Sequence, residues 1–190
     1  ERTPEGLYCR AADAWVDPWR PVPRALITHA HADHARPGCG EYWAVASSEG
    51  VLRQRLGQDI SLHPVQYGEE RWLGQCRVSF HSAGHVLGSA QIRLEVDGEV
   101  WVVSGDYKRD ADPSCDPFET VPCDVLITEA TFGLPIYRWQ TGAEVAEEIR
   151  DWWQSDRQRP SLLFCYAFGK AQRLMAELNA IGVDDEVLLH

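Results

Sequence analysis

Short apolar runs, broken at close intervals by glycine, proline and acidic residues, fill the chain as far as residue 140. Leu7-Tyr8-Cys9-Arg10 and Ala14-Trp15-Val16-Asp17 read as two short strands joined by a turn at 11–13. Arg24 to Thr28 and Tyr42 to Ala46 read as two more. Ser47 or Ser48 then caps a helix through about Leu56, with Val51, Leu52 and Leu56 on its apolar face and Gly57 as its stop. Residues 58–75 show no clear period. Arg77 to His81 alternates as a half-buried strand does. Gln91–Val96 and Glu99–Val103 flank Asp97-Gly98, a preferred two-residue turn, and predict a hairpin. Asp124 to Glu129 reads as another buried strand, this one ending in an acid.

From Thr141 the period changes to that of helices. Thr141 and Glu144 make a capping-box pattern, and Val145, Ile149, Trp152 and Trp153 recur at the spacing of a core-facing stripe. Ser161–Tyr166 predicts a strand, Gly169–Ile181 a helix with Ala171, Leu174, Leu178 and Ile181 on one side, and 186–189 a further strand with His190 at its end. The pattern is that of an α/β protein in two parts, 1–140 and 141–190. The chain starts without Met and stops inside an apolar run, which predicts a piece of a longer protein.

Composition narrows the class. With 44% hydrophobic and 25% charged residues over 190 positions, this is a globular chain able to bury a real core. No apolar run reaches the roughly 20 residues of a membrane span, and the polar start is unlike a signal peptide. A net charge of −11 argues against a general nucleic-acid-binding surface, though not against a local basic groove. Cys9, Cys39, Cys76, Cys115, Cys123 and Cys165 contain no CxxC pair, and most lie in or beside apolar runs. They read as reduced, mostly buried thiols of a cytoplasmic protein.

The chemistry concentrates in His29-Ala30-His31-Ala32-Asp33-His34, directly after the strand at 24–28. His29 and His31 are two apart, so an extended backbone points both to one side. Asp33 and His34 are adjacent and can face a second point once the chain turns. Imidazole and carboxylate suit zinc-like divalent ions, and four donors in six residues suit two ions better than one. His85 sits between Gly84 and Gly88 in a turn after a strand, the same setting. Asp106 follows a buried strand and a glycine, and its two oxygens make it the candidate bridge. Asp17, at a strand end before Pro18, is a candidate to orient a histidine from behind, or a turn aspartate. Lys108 and Arg109 can hold a phosphate backbone or be a solvated pair. His63 and His81 read as structural.

These motifs together resemble the metallo-β-lactamase fold superfamily: His29-x-His31-x-Asp33-His34, His85 in its glycine turn, and Asp106 in Ser104-Gly105-Asp106. Glu129-Ala130-Thr131-Phe132-Gly133 and the region of Cys165–Lys170 are similar to the β-CASP branch of nucleases. Thr3 to Cys9, Asp17-Pro18-Trp19-Arg20, Ser104 to Asp110 and Thr131 to Tyr137 look like bacterial ligase-associated DNA exonucleases. The resemblance implies an αββα sandwich with the start of an inserted β-CASP domain. It implies that His29, His31 and His85 hold one zinc, that Asp33 and His34 hold the other, and that Asp106 bridges, with Zn2+ the expected ion and Mn2+ an alternative. Glu129 would match the first β-CASP acidic motif and, with Asp33 and Asp106, serve catalysis. The later β-CASP histidines, including the one that protonates the leaving group, have no match.

The implied activity is hydrolysis of phosphodiesters, with DNA preferred over RNA as substrate and ligase- or helicase-associated proteins as partners. Two ions about 3.5–4 Å apart can hold a hydroxide between them and lower the pKa of water from about 15.7 to about 7. At about 1.36 kcal/mol per unit this is on the order of 12 kcal/mol toward the nucleophile. Three alternatives compete: an RNA-processing enzyme, a thioester or lactam hydrolase of the same fold, and a non-catalytic scaffold that has kept the fold, against which every testable ligand position is filled.

Overall fold

The computed structural model describes residues 1–166 and 168–189, so His190, expected at a strand end, lies outside the described residues. The chain divides into two compact units.

The first unit, 1–111 with 115–129, is mixed α/β and carries two sheets. Its elements in order are β1 (Arg2–Thr3), β2 (Gly6–Cys9), β3 (Ala14–Val16), β4 (Arg24–Leu26), β5 (Glu41–Val45), a 3-10 turn (Ala46–Ser48), α1 (Glu49–Leu56), β6 (Leu62–Val65), β7 (Arg71–Leu73), β8 (Cys76–Ser82), β9 (Ala90–Val96), β10 (Glu99–Val103) and β11 (Val125–Ile127). One sheet runs β1-β2-β3-β4-β5-β6 and the other β11-β10-β9-β8-β7. In the first, β3 to β6 are parallel, so Asp17 and the His29 loop leave from the same end. In the second, β8 and β10 each run antiparallel to β9, and β11 runs parallel to β10. The turn of His85 and the loops of Asp106 and Glu129 therefore also share one end.

One hydrophobic cluster draws on both sheets, with Val16, Leu26, Val45 and Val65 from the first and Val78, Phe80, Ile92 and Val103 from the second. Burying each such side chain contributes about 1.5–3 kcal/mol, which makes this shared core the main reason the site end holds its shape. The hairpin forms as expected. Asp97 and Gly98 both take positive φ (+52° and +85°), as a type I′ turn requires.

Several expectations need correction. β6 and β7 lie within 58–75, where no strand was expected. Pro64 donates no hydrogen bond, but β6 is the edge of its sheet and loses only an outward bond. Ser48 does not cap α1 by its side chain; its Oγ donates to the Val45 carbonyl at 2.7 Å, because a 3-10 turn leads into the helix. The six cysteines are free, but only Cys76 is buried and Cys123 is exposed. No helix among the described residues is long and apolar enough to cross a membrane.

The second unit, 112–114 with 130–190, holds α2 (Gly142–Ser155) and α3 (Lys170–Ala180). Thr141 and Glu144 form the expected capping box: Thr141 Oγ1 accepts from Glu144 N, and the Glu144 carboxylate accepts from Thr141 N at 2.7 Å. The buried residues of the two helices are Ala146 and Leu178, whereas Trp152 is 50% exposed and not in the expected core stripe. The strands expected at 161–166 and 186–189 do not form. Phe164, Tyr166, Leu188 and Leu189 instead lie exposed, since an apolar run becomes a strand only against a neighbour that takes its hydrogen bonds.

Candidate metal centre

β4 is central in its sheet, and its buried Ala25 and Leu26 carry the chain into Ile27, Thr28 and His29, all buried. A turn at 31–35 follows, closed by the His34 and Ala35 amides donating to the His31 carbonyl at 3.1 and 2.8 Å. This turn swings His34 back toward Asp17. From the other sheet, Ala90 N–H donates to the Thr28 carbonyl at 2.7 Å, which ties the turn of His85 to the loop of His29. Two glycines make that closeness possible. At Gly84 (φ +67°) a Cβ would sit 2.3 Å from the Lys108 carbonyl oxygen, and at Gly105 (φ +55°) 2.6 Å from Thr28 Cβ. The residues directly after them, His85 and Asp106, reach the centre because nothing larger fits.

His29, His31, His85 and Asp106 each offer a donor atom, and these atoms lie within 4.8 Å of one another. His29 Nε2 and His31 Nδ1 are 2.9 Å apart, and His85 Nε2 is 3.4 Å from His31 Nδ1. Asp106 faces two ways. Its Oδ2 lies 3.9 Å from His29 Nε2 and 3.7 Å from His85 Nε2, while its Oδ1 lies 3.4 Å from His34 Nε2. Asp33 Oδ2 is 3.7 Å from His34 Nε2, and the Asp33 side chain is 75% exposed. The fold thus brings together three imidazoles on one side of Asp106, with His29 buried and His31 and His85 half-buried, and on the other side a half-buried His34 with an exposed Asp33. Three imidazole nitrogens and a carboxylate converging in this way could hold a divalent metal.

Behind the donors stands a residue that the sequence did not single out. Thr28, buried, gives its hydroxyl proton to Asp17 Oδ2 at 2.5 Å and its amide proton to Asp17 Oδ1 at 2.8 Å. With its one proton committed, the Thr28 oxygen can only accept from His29 Nδ1, 3.1 Å away. That fixes the His29 tautomer and leaves the Nε2 lone pair facing the centre. Asp17 Oδ2 also takes a proton from His34 Nδ1 at 2.7 Å. Asp17 holds this position at φ +43°, an uncommon backbone for a non-glycine residue. Ser89 is a second missed support: its Oγ accepts from the amides of His85 and Val86 at 3.0 and 3.1 Å and shapes the turn. A threonine or serine inside an apolar stretch carries little signal, because such hydroxyls are common in strands and turns.

The electrostatics match this geometry. Burial, then the neighbouring His34, His85 and His31, push His29 well below the usual imidazole range and keep it neutral. Burial also lowers His85. Burial opposes a charge on His34 too, but hydrogen bonds to Asp106 and Asp17 outweigh it and raise this imidazole to about 10. The His34 hydrogen bond in turn pulls the Asp106 carboxyl down to about 2.

A cleft of about 430 Å³ opens on the His34 side and is lined by Trp19, Asp33, His34, Arg36, Asp106 and Glu129 among others. Trp19 and Arg36 were not singled out by sequence. Lys108 and Arg109 do not line it; the Lys108 ammonium donates to the Ala111 carbonyl at 3.2 Å, and Arg109 is exposed. His63 and His81 stand apart from the centre. His63 stacks on Trp43 and meets Glu41, and His81 bonds Ser79 and Glu119.

No protein-family model matches the chain. A probable DNA ligase of Opitutus terrae is 34% identical over 180 residues, which is 92% of this chain and 17% of that protein. An RNase J-like protein of Methanocaldococcus jannaschii is 32% identical over 189 residues, 83% of this chain and 44% of the relative. Cleavage and polyadenylation specificity factor 73 of Drosophila melanogaster is 29% identical over 168 residues, 82% of this chain and 24% of the relative. The chain thus spans less than half the length of each of these relatives.

Proposed function

The chain belongs to the β-CASP branch of the metallo-β-lactamase fold, and from that membership we propose that it carries the metal-dependent centre of a phosphodiesterase acting on nucleic acid. The observation that carries this reading is the two-sided placement of Asp106, with Oδ2 toward the His29–His85 side and Oδ1 toward His34. A carboxylate so placed, with donors on both sides, fits two cations rather than one. In this reading His29, His31 and His85 hold one divalent ion, His34 and Asp33 the other, and Asp106 bridges; Zn2+ suits the nitrogen-rich side and Mn2+ is the alternative. When bound, such ions lower the pKa of water and polarise a phosphoryl oxygen.

The chain's own residues do the rest. Thr28 fixes the tautomer of His29, and Asp17 orients the His34 ring, which would ligate once its Nε2 proton leaves. Arg36, which lines the cleft, would hold a phosphate of the strand, in a chain otherwise too acidic to attract one. Asp33, exposed at the cleft, takes or orients the proton of the attacking water, and Glu129 adds a second carboxylate at the cleft wall. The two sheets sharing one core would be the inner layers of an αββα sandwich, to which 1–140 contributes both sheets and the helix α1, and 141–190 would begin the inserted β-CASP domain.

We take DNA as the substrate, on the relative named a probable DNA ligase, which matches 92% of this chain. RNA is the second reading, favoured by the names RNase J-like protein and cleavage and polyadenylation specificity factor. An association with ligase follows the same relative. The test is hydrolysis of end-labelled single- and double-stranded DNA and RNA, with a thioester and a lactam alongside, by the intact protein loaded with Zn2+ or Mn2+. Cleavage of DNA above RNA is expected. Cleavage of the thioester or lactam alone would overturn the nuclease reading, and metal retention without hydrolysis of any of them would favour a scaffold.

A further inference from the structure

The loop that follows Glu129 carries an aromatic group the candidate metal centre does not use. Phe132, Tyr137 and Trp139 meet on the surface of the second unit. The rings of Tyr137 and Trp139 are parallel within 7°, with centroids 6.2 Å apart. Phe132 meets Tyr137 at 76° and 5.1 Å, and Trp139 at 81° and 5.3 Å. Edge-to-face contact of this kind favours fixed ring orientations, so the faces of Tyr137 and Trp139 are set in advance. Turns closed by Gly133 N to Ala130 O (3.0 Å) and Tyr137 N to Leu134 O (3.2 Å) set the loop beneath them. The rings nonetheless stay open to solvent: Trp139 is 72% exposed and Tyr137 41%.

Charge says what such a surface fits. From Ala130 to Ala143 there is no acidic residue, in a chain with 29, and Arg138 stands between the two parallel rings in sequence. Parallel aromatic faces flanked in sequence by a cation are complementary to bases strung on phosphates, and the nearby Glu144 and Glu148 carboxylates are taken up by hydrogen bonds from Thr141 and Gln140. The other exposed apolar stretches of this unit, 161–166 and 186–189, differ. Both are runs of strand-like sequence, with Leu162, Leu163, Phe164 and Tyr166 in the first, and 187–189 is aliphatic and follows Asp184, Asp185 and Glu186. Such runs suit a protein strand rather than a nucleic acid.

We propose that Tyr137 and Trp139, braced by Phe132 and accompanied by Arg138, form a base-stacking subsite for an unpaired stretch of the substrate strand. This rests on the nuclease reading above and adds to it: the protein engages bases as well as phosphates, and single-stranded regions in preference to closed duplex. Stacking accepts any base, so the subsite reads strandedness and not sequence.

The test is fluorescence anisotropy on the intact protein without metal, which prevents hydrolysis. The probes are labelled oligothymidylate, oligouridylate, an abasic strand of the same length, and a blunt duplex. The wild type is expected to prefer the base-bearing strands to the abasic one. Replacing Trp139 by Ala should weaken base-bearing strands about 5–100-fold and leave the abasic strand unchanged, the range expected for one stacked base. Trp139→Phe should recover most of the loss, and Arg138→Gln should weaken all strands alike. These side chains are exposed, and a circular dichroism spectrum confirms that each variant is folded. The two nucleotide probes separate DNA from RNA. If Trp139→Ala and Tyr137→Ala bind base-bearing strands as tightly as the wild type, the subsite does not exist. A wild type that hydrolyses nucleic acid with metal restored but shows no base preference overturns the subsite alone. A wild type that neither binds nor hydrolyses any of the probes overturns the nuclease reading as well.

Discussion

The two sides of Asp106 differ in how they are built. On one side His29 is 1% exposed, and its ring is fixed by Thr28 behind it. On the other, His34 is held from behind by Asp17, but the Asp33 side chain is 75% exposed, with His34 Nε2 3.7 Å away. A buried, tautomer-locked donor has lost its freedom before a cation arrives, so little entropy remains to be lost on binding. An exposed carboxylate must give up that freedom at the moment of binding. In the proposed reading the buried His29 therefore sets where a first ion sits, and the open side, that of Asp33, which faces the cleft, is where substrate and proton traffic meet. This predicts unequal consequences for donors that look alike in sequence.

The largest effect is expected from the closed side. His29→Ala or His85→Ala should remove at least one tightly held ion per chain by elemental analysis. Hydrolysis should fall by more than the roughly 100-fold typical of losing an outer partner. Full metal content in either variant would show that the trio is not a ligand set. Asp106→Asn comes next. It keeps the shape but swaps one oxygen for an amide that donates, so it should cost the second ion before the first. Simultaneous loss of both would mean that the two sides do not act separately.

Asp33→Asn sharpens the contrast further. If Asp33 handles the proton of the attacking water, kcat should fall more than substrate affinity does. Equal losses in both would assign Asp33 to binding alone. Substitution of Asp17 by Asn should be milder for the chemistry but should reach both sides at once, since one carboxylate orients His34 directly and His29 through Thr28. Metal affinity should fall about 10–100-fold, read by competition with a chelator. Thr28→Val should reproduce the loss on the His29 side alone.

The same split marks what the sequence could disclose. The side chains that converge beside Asp106 were legible, because histidines two apart after a strand, or next to a strand-end glycine, have few other uses. The strands that carry them were legible through alternation and through the Asp97-Gly98 turn. What lay hidden was whatever depends on a neighbour far along the chain. Thr28 matters only because Asp17 stands opposite, and Gly105 only because Thr28 fills the space its Cβ would need. β6 was masked by Pro64, which an edge tolerates and a centre would not. The apolar runs at 161–166 and 186–189 misled in the opposite direction, since periodicity reports the capacity to form a strand and says nothing of whether a partner is at hand.

The smallest predicted effect concerns pH, and it isolates the open side without substrate. In the metal-free protein His34 stays charged up to about 10, and Asp106 stays charged down to about 2. A raised imidazole contributes stability that is complete below its unfolded value of about 6.5 and is lost as pH climbs toward 10. A lowered carboxyl contributes stability that is complete above its unfolded value of 3.8 and is lost as pH drops toward 2. Thermal melts in chelator should therefore show Tm falling gently on the alkaline side between those limits, and again in strong acid. Asp106→Asn removes one member of the pair and should flatten both slopes. An Asp106→Asn protein with unchanged slopes would place the pH dependence elsewhere in the fold. Adding metal should also suppress the alkaline slope, because a cation at His34 Nε2 replaces the proton whose loss causes it. A slope that persists in saturating metal would mean that no ion reaches His34, and the open side would then be a polar pair beside a single metal.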